Sequence, residues 1–202
     1  MKPNPHLVLG SASPRRRDLL RQLGLPFEQV VSPEQEPVPN NEAPAAHVVH
    51  SACSKAQAVH RLLLQRDSVP TALVIGADTI VCIDDRILGK PADAAEAEVM
   101  LQTLSGRTHQ VYTGLGLVAA DGRSFDDVVA TTVHMRPLSA LDIQTYVASG
   151  EPLDKAGAYG IQGLAARFIE RIEGCYYNVV GLPLARLSAL LEQAGYNFTV
   201  NS

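Results

Sequence analysis

The sequence predicts an α/β fold with a mixed, partly antiparallel, elongated sheet flanked by helices. In the first half, apolar strand-like runs alternate with segments whose apolar residues recur at helical spacing. In the second half, strand-like runs are joined by short turns such as Asp121-Gly122, which are typical of antiparallel hairpins. The 202 residues, 46% of them hydrophobic, suffice for one domain or for two small lobes sharing a core. We expect residues 1–202 to form a single domain.

The first half opens with a short apolar strand at 6–9. Ser13 and Pro14 then mark a helix start, because Ser caps free amides and Pro tolerates the first helical position. Gly24 ends this helix. The elements predicted next are a helix at 46–65, a buried strand at 72–83, and a short strand at 87–88 after a turn at Asp84-Asp85.

The second half contains two more N-capped helices. Asp93 and Glu96 predict a capped helix at 94–104, and Ser139 with Asp142 starts another, which Gly150 stops. The remaining predicted elements are strands at 110–119 and 125–135, a glycine-rich polar loop at 151–163, a hairpin of 168–172 and 176–180 around Glu173-Gly174, and a final amphipathic helix from Pro183 to Gly195.

Composition argues against several classes of protein. The net charge of −4 disfavours general nucleic-acid binding, because phosphate contacts dominate that affinity. The chain has three cysteines, Cys53, Cys82 and Cys175, and no two of them form a CxxC pair. This pattern indicates free thiols in a reducing compartment. The sequence shows no signal-peptide core and no apolar stretch long enough to span a membrane. We therefore expect a cytoplasmic protein with no membrane and no nucleic-acid partner.

The segment 11–17, Ser-Ala-Ser-Pro-Arg-Arg-Arg, is a candidate anion site. It follows a strand and opens a helix, whose free amides and partial positive charge suit a phosphate. Arg15 and Arg16 can add charge-assisted contacts, although the spacing of a P-loop is absent. The alternative is a capped surface helix with solvated arginines, and the motif alone does not decide between the two.

Asp78 is a carboxylate inside an apolar predicted strand. Burying it is costly unless it is paired or hydrogen-bonded. It is either a core residue satisfied by backbone amides, or a general base or metal ligand at an exposed strand end. Gly76, two residues earlier, permits close approach of a ligand or of another backbone.

The remaining polar candidates are weak one by one. Taken individually, Lys55, Lys90 and Lys155 are typical of solvated lysines, but with Arg15 they could balance the charge of a triphosphate. Gln162 lies in a glycine-rich segment and carries both a donor and an acceptor, which suits reading a base edge. A flexible loop is the alternative for this segment.

Together these segments resemble the Maf-like nucleotide pyrophosphatases. The matching motifs appear in the order of that family and span nearly the whole chain: Ser11-Ala-Ser-Pro-Arg-Arg, Ser54-Lys-Ala, Gly76-Ala-Asp-Thr-Ile-Val, Gly89-Lys-Pro, Leu104-Ser-Gly-Arg-Thr-His, Asp154-Lys-Ala-Gly-Ala-Tyr-Gly-Ile-Gln-Gly and Val179-Val-Gly-Leu-Pro-Leu. The resemblance implies a long mixed sheet with a cleft between two lobes, and a homodimer. It also implies hydrolysis between the α- and β-phosphates with a divalent cation, Mg or Mn.

The resemblance also implies roles for single residues. Asp78 matches the proton acceptor of the family. The positions linked to substrate choice are Arg15, Thr79 and Gln162, and the polar residues that bind substrate are Ser11, Arg16, Lys55, Lys90 and Lys155. Glu36, in a proline-rich loop at 32–44, matches a metal ligand together with Asp78, but its acidic neighbour is replaced by Gln35.

Within the family, the segments around Gln162 and at Tyr176-Tyr-Asn-Val-Val-Gly resemble the branch that acts on dTTP and UTP. House-cleaning of modified nucleotides belongs to the same expectation. Two alternatives stay open: a pyrophosphatase acting on 7-methyl-GTP, and a non-catalytic nucleotide-binding regulator of cell division.

Overall fold

The computed structural model describes residues 3–33, 42–65 and 71–198. Its strands are β1 (His6–Leu9), β2 (Phe27–Gln29), β3 (Ala72–Ile83), β4 (Arg86–Leu88), β5 (Thr108–Ala119), β6 (Ser124–Met135) and β7 (Ile169–Glu173). Its helices are α1 (Pro14–Gln22), α2 (Pro44–Gln65), α3 (Ala94–Leu104), α4 (Ala140–Ala148), α5 (Tyr176–Val180) and α6 (Leu184–Gln193). Short 3₁₀ turns occupy Glu151–Asp154, Ala156–Ala158 and Leu164–Phe168.

The strands form one mixed sheet in the order β2-β1-β3-β5-β6-β7, with β4 paired to β3. Strand β1 is parallel to both β2 and β3, whereas the β3/β4 and β6/β7 pairs are antiparallel. This confirms the predicted mixed sheet flanked by helices. No helix within the described ranges is long and apolar enough to cross a membrane.

The chain divides into two compact units. Unit 1 comprises Met1–Asp78, Thr113–Val129 and Gly181–Ser202, and unit 2 comprises Thr79–Tyr112 and Ala130–Val180. Strand β3 passes from the first unit into the second immediately after Asp78.

In unit 1, helix α2 packs directly on the sheet. A Cβ atom on Gly76 would lie 2.1 Å from the carbonyl oxygen of Ala52, and one on Gly114 would lie 2.2 Å from that of Val48. Glycine at these positions therefore lets the helix backbone touch the strands. Apolar side chains complete the layer: Val8, Val30, Ala56, Val59, Leu63, Ala72, Val74 and Val118. The close approach predicted at Gly76 is thus an approach of helix backbone.

In unit 2, helices α3 and α4 cover an apolar core. Residues from both helices and from the strands share it, among them Val81, Leu101, Leu104, Val111, Val133, Ile143 and Tyr146. The Tyr146 and Phe168 rings meet edge to face with centroids 5.4 Å apart. This geometry is the favoured one for buried aromatic pairs.

Most predicted boundaries are confirmed because they rest on local signals. The side chain of Ser13 accepts a hydrogen bond at the start of α1, and Gly24 after it has a φ of 68°. Asp93 caps α3 as predicted, although the Glu96 carboxylate accepts from the amide of Ala92 instead of that of the cap residue. Ser139 and Asp142 form the full reciprocal capping box of α4.

One short strand was missed, and one local prediction is wrong. The short strand β2 was not predicted, because three residues carry too little periodicity to be recognised. The second strand of the predicted hairpin, 176–180, is the helix α5. Strand β7 pairs with β6 instead, and the amide of Asn178 donates to the carbonyl of Val111 and to Thr131 Oγ1. These tertiary contacts outweigh the β propensity of the segment.

Candidate active site

The candidate site begins at the carboxyl end of β1. The chain leaves β1 through α1 to β2 on one side, and returns through α2 to β3 on the other side. In open sheets with parallel strands, such a topological switch point is the usual place for a ligand. Leu9 is in register with Ile75, and the amide of Gly10 donates to the Ile75 carbonyl at 2.7 Å. The loop after β1 therefore runs beside the part of β3 that leads to Asp78.

Ser11 and Arg16 form a hydrogen-bonded unit at the start of α1. The buried Ser11 hydroxyl accepts from the Arg16 guanidinium at 3.2 Å and from the Ser13 amide at 3.3 Å. The Arg16 Nε atom also donates to the carbonyl of Gly181 at 2.9 Å. Arg16 is therefore held in place by the protein and is not a freely solvated surface arginine. Arg15, its neighbour, is partly exposed on the same first turn.

Asp78 forms a buried ion pair with Lys55 of α2. The Lys55 Nζ atom lies 2.7 Å from Asp78 Oδ1, and both residues are buried. This corrects the expectation that Lys55 is a solvated lysine. From the sequence, backbone amides were possible partners of a buried Asp78. The structure shows that its partner is an ammonium group. A fixed carboxylate beside a positive charge is able to orient a water molecule and accept its proton.

A second set of predicted residues belongs to unit 2. Thr79 directly follows Asp78 and is partly exposed, and Lys90 is exposed after β4. The amide of Gly157 donates to the carbonyl of Gly89 at 3.0 Å, which joins the segment of Lys90 to that of Lys155. In this way the structure brings two of the predicted cationic segments together.

Lys155 and Gln162 lie on the glycine-rich segment. The Lys155 ammonium donates to the backbone carbonyl of Glu151 and to the Asp154 carboxylate, both at 2.6 Å. Gln162 is exposed within a turn that the amide of Gly163 closes onto the carbonyl of Gly160 at 3.1 Å. The segment consists of short 3₁₀ turns joined by tight turns, and is therefore more regular than the predicted loop.

The described residues provide one carboxylate of the predicted metal pair, Asp78. Glu36 lies outside the described residues. In the ranges that the structure covers, no group of three or more His, Cys, Asp or Glu side chains is placed to hold a metal ion. One or two carboxylates fit Mg²⁺ or Mn²⁺ when oxygens of the substrate phosphates complete the coordination, which is how these ions often bind.

Two groups of residues outside the site have plain structural explanations. The Glu42 carboxylate lies 2.9 Å from Nδ1 of His47, a residue of α2 that is buried. The cysteines of the chain are free thiols, and burial, with the Asp126 charge adding to it, raises the pKa of Cys53 to about 11. This thiol is protonated at neutral pH, which disfavours a nucleophilic role.

Sequence reasoning overlooked one functional candidate, Glu151. Its carboxylate accepts from the Tyr146 hydroxyl and from the amide of Leu164. Leu164 follows the turn that carries Gln162. The available signal was Gly163, because a glycine in a hydrogen-bonded turn often marks a place where another group approaches closely.

Comparison with known proteins identifies one family that the chain resembles. The sequence model of the family described as "Maf-like protein" matches residues 6–194. A protein of Symbiobacterium thermophilum named dTTP/UTP pyrophosphatase is 52% identical over 94% of both chains. Proteins with the same name from Pelotomaculum thermopropionicum and Bacillus cytotoxicus are 49% and 48% identical, over 95% and 92% of this chain and 97% and 94% of theirs.

Among solved structures, a HAM1 protein from Coxiella burnetii has a similar fold. It superimposes with a TM-score of 0.52 at 17% identity and covers 94% of this chain and 99% of its own. At this identity the likeness supports the fold alone.

Proposed function

Because the chain belongs to the Maf-like family, we propose that it hydrolyses dTTP and UTP to the nucleoside monophosphate and pyrophosphate. Relatives with this name match more than nine-tenths of the chain at up to 52% identity. The observation that carries the proposal is the buried Lys55–Asp78 pair. Asp78 lies on β3, the neighbour of β1, at whose carboxyl end the switch point and therefore a ligand are expected. House-cleaning of modified nucleotides is a variant of the same chemistry.

In the proposed reaction, water attacks the α-phosphorus in line with the bond to the β-phosphate oxygen. A new P–O bond forms, the bond to that bridging oxygen breaks, and pyrophosphate leaves. Asp78 accepts the proton of the water, while the Lys55 ammonium at 2.7 Å holds the carboxylate in place. A bound Mg²⁺ or Mn²⁺, held by Asp78 and Glu36 with phosphate oxygens, would supply charge neutralisation on the leaving group.

Binding of the nucleotide is divided between phosphate and base contacts. The residues that we assign to the phosphates are Ser11, Arg15, Arg16, Lys55, Lys90 and Lys155. Thr79, Gln162 and the specificity position Arg15 select the substrate. A site that hydrogen-bonds a base edge discriminates strongly, because the wrong base leaves buried polar groups unpaired. Catalysis then consists mainly of positioning and electrostatic stabilisation. We further propose that the enzyme acts in the cytoplasm as a homodimer.

A nucleotide panel tests this function. Purified protein is incubated with Mg²⁺ or Mn²⁺ and with dTTP, UTP, CTP, dATP, GTP or 7-methyl-GTP, and the products are separated. We expect the monophosphate and pyrophosphate from dTTP and UTP. Release of orthophosphate with a diphosphate would place the cut at another bond. Preferential cleavage of 7-methyl-GTP would move the chain to that branch of the family.

Calorimetry on the same panel separates an enzyme from a regulator. A non-catalytic nucleotide sensor would bind triphosphates and leave them intact. Binding without turnover of any nucleotide, in the presence of either cation, would therefore overturn the proposed enzyme and favour the regulator.

A further inference from the structure

The carboxylate of Glu151 holds two groups of unit 2 at once. Its Oε1 accepts from the Tyr146 hydroxyl at 3.0 Å and its Oε2 accepts from the amide of Leu164 at 2.9 Å. Tyr146 is 1% exposed and packs edge to face on Phe168, so it is anchored in the core. Burial, together with the hydrogen bond to Glu151, raises the pKa of Tyr146 well above its usual range. The hydroxyl therefore stays protonated and donates to Glu151.

The Glu151 carboxylate occupies the space that a side chain at position 163 would need. A Cβ atom on Gly163 would lie 2.1 Å from Oε1 and 2.5 Å from Oε2 of Glu151. Its φ of −104° is open to any residue, so the backbone conformation does not require glycine here. The requirement for glycine comes from the close approach of the carboxylate.

The turn that carries Gln162 is thus fixed at both ends. Glu151 binds the Leu164 amide after the turn, and a backbone hydrogen bond joins Gly160, at its start, to the Tyr146 hydroxyl. The amide of Gly163 closes the turn on the Gly160 carbonyl. Gln162 projects from the exposed side of this braced turn. Its backbone position is therefore set by Glu151 and Tyr146.

We propose that Glu151 is a positioning residue for base recognition, which places the Gln162 amide for the edge of a uracil or thymine ring. The inference rests on the proposed function and names the part of the protein that sets its base specificity. Uracil and thymine carry an acceptor oxygen at position 4, where cytosine carries an amino donor. A Gln amide offers both kinds of group, so its placement decides which base it favours. A loosened turn should bind UTP less well and discriminate less against CTP.

The test compares steady-state kinetics for UTP, dTTP and CTP in four proteins: wild type, Glu151→Ala, Glu151→Gln and Glu170→Ala. Glu170 is an exposed glutamate of the same unit and serves as the matched control. We expect Glu151→Ala to raise KM for UTP and dTTP about 10–100-fold, as misplaced binding groups do, and to reduce the UTP/CTP preference. Glu151→Gln should recover most of the loss, because its amide oxygen still accepts from Leu164.

A purely structural role is distinguished by the pattern of these constants. Partial unfolding lowers the apparent kcat for every nucleotide equally and leaves KM and the base preference unchanged. Unchanged KM values and preference in Glu151→Ala would overturn the inference while the proposed function stands. A wild-type protein that cleaves no triphosphate would overturn the proposed function and, with it, the role of Glu151 in base recognition.

A double substitution tests the contact itself. Gly163→Ala alone should raise KM for UTP, because the new methyl group displaces the carboxylate. In a Glu151→Ala background the same change should add little, since the space is then open. Faster hydrogen exchange of the Leu164 amide in Glu151→Ala would support the hydrogen bond between this amide and the Glu151 carboxylate without reference to activity. Equal effects of Gly163→Ala in both backgrounds would contradict the proposed contact.

Discussion

The ammonium group of Lys55 lies 2.7 Å from the carboxylate of Asp78, and the two side chains are only 9% and 11% exposed. Two charges taken out of water together recover part of their desolvation cost through mutual attraction. Removing one partner leaves the other buried and uncompensated. The pair therefore links the stability of the protein to the catalytic role that we propose for Asp78.

We expect Lys55→Met to lower the free energy of unfolding by about 3–5 kcal/mol, because it leaves the Asp78 carboxylate buried without its partner. The double variant Lys55→Met/Asp78→Asn removes both charges and should be more stable than Lys55→Met alone. Urea denaturation of the wild type, both single variants and the double variant measures the coupling. Strictly additive effects would show that the pair contributes nothing beyond its separate side chains.

Asp78→Asn should lower kcat for UTP about 10²–10⁴-fold, because the amide cannot accept the proton of the attacking water. The shape of the side chain is preserved and its oxygen can still accept from Lys55, so the protein should remain folded, although it should be less stable than the wild type because Lys55 loses its counter-charge. Asp121→Asn, at an exposed carboxylate of the same unit, is the matched control and should leave kcat unchanged. Retained activity in a folded Asp78→Asn protein would remove Asp78 from the mechanism.

The sequence predicted what depends on neighbours in the chain. Ser13, Gly24 and Asp93 act within one helical turn, so the ends of α1 and α3 were predictable. A carboxylate within an apolar run marked Asp78 as unusual for the same local reason. Three features depend on residues distant in sequence: the partner of Asp78, the short strand β2 and the helix at Tyr176–Val180. Lys55 is 23 positions from Asp78, and although it lies at the edge of the apolar face of its helix, nothing in the local pattern indicated its partner.

Gly76→Ala should lower the free energy of unfolding by about 3 kcal/mol or more, because a methyl group there meets the backbone of α2. The added Cβ would lie 2.1 Å from the carbonyl oxygen of Ala52, and backbone atoms of a helix do not move aside as a flexible side chain does. Gly89→Ala is the control, since a Cβ there meets nothing within 4 Å. Similar denaturation midpoints for both variants would contradict the direct packing of α2 on β3.

Stability should fall in mild acid because of His109, which is 2% exposed. Burial, with the nearby His134 adding to it, lowers the pKa of His109 to about 4 from an ordinary value of 6.5. Between these values the unfolded chain binds a proton that the folded protein excludes, so the free energy of unfolding rises with pH across this window. The contribution is complete above pH 6.5 and is lost as the pH falls to about 4, amounting to about 3 kcal/mol.

His109→Gln isolates this contribution from the titration of carboxylates in the same range. The Gln side chain does not titrate and can still hydrogen-bond to the Tyr159 hydroxyl, which lies 2.7 Å from Nε2 of His109. Urea denaturation at about pH 7, above the window, and at about pH 4.5, within it, should show a smaller pH-dependent loss in His109→Gln than in the wild type. His50→Gln, at an exposed histidine, should behave as the wild type does. Identical pH dependence in all three proteins would mean that His109 binds its proton equally in the folded and unfolded states.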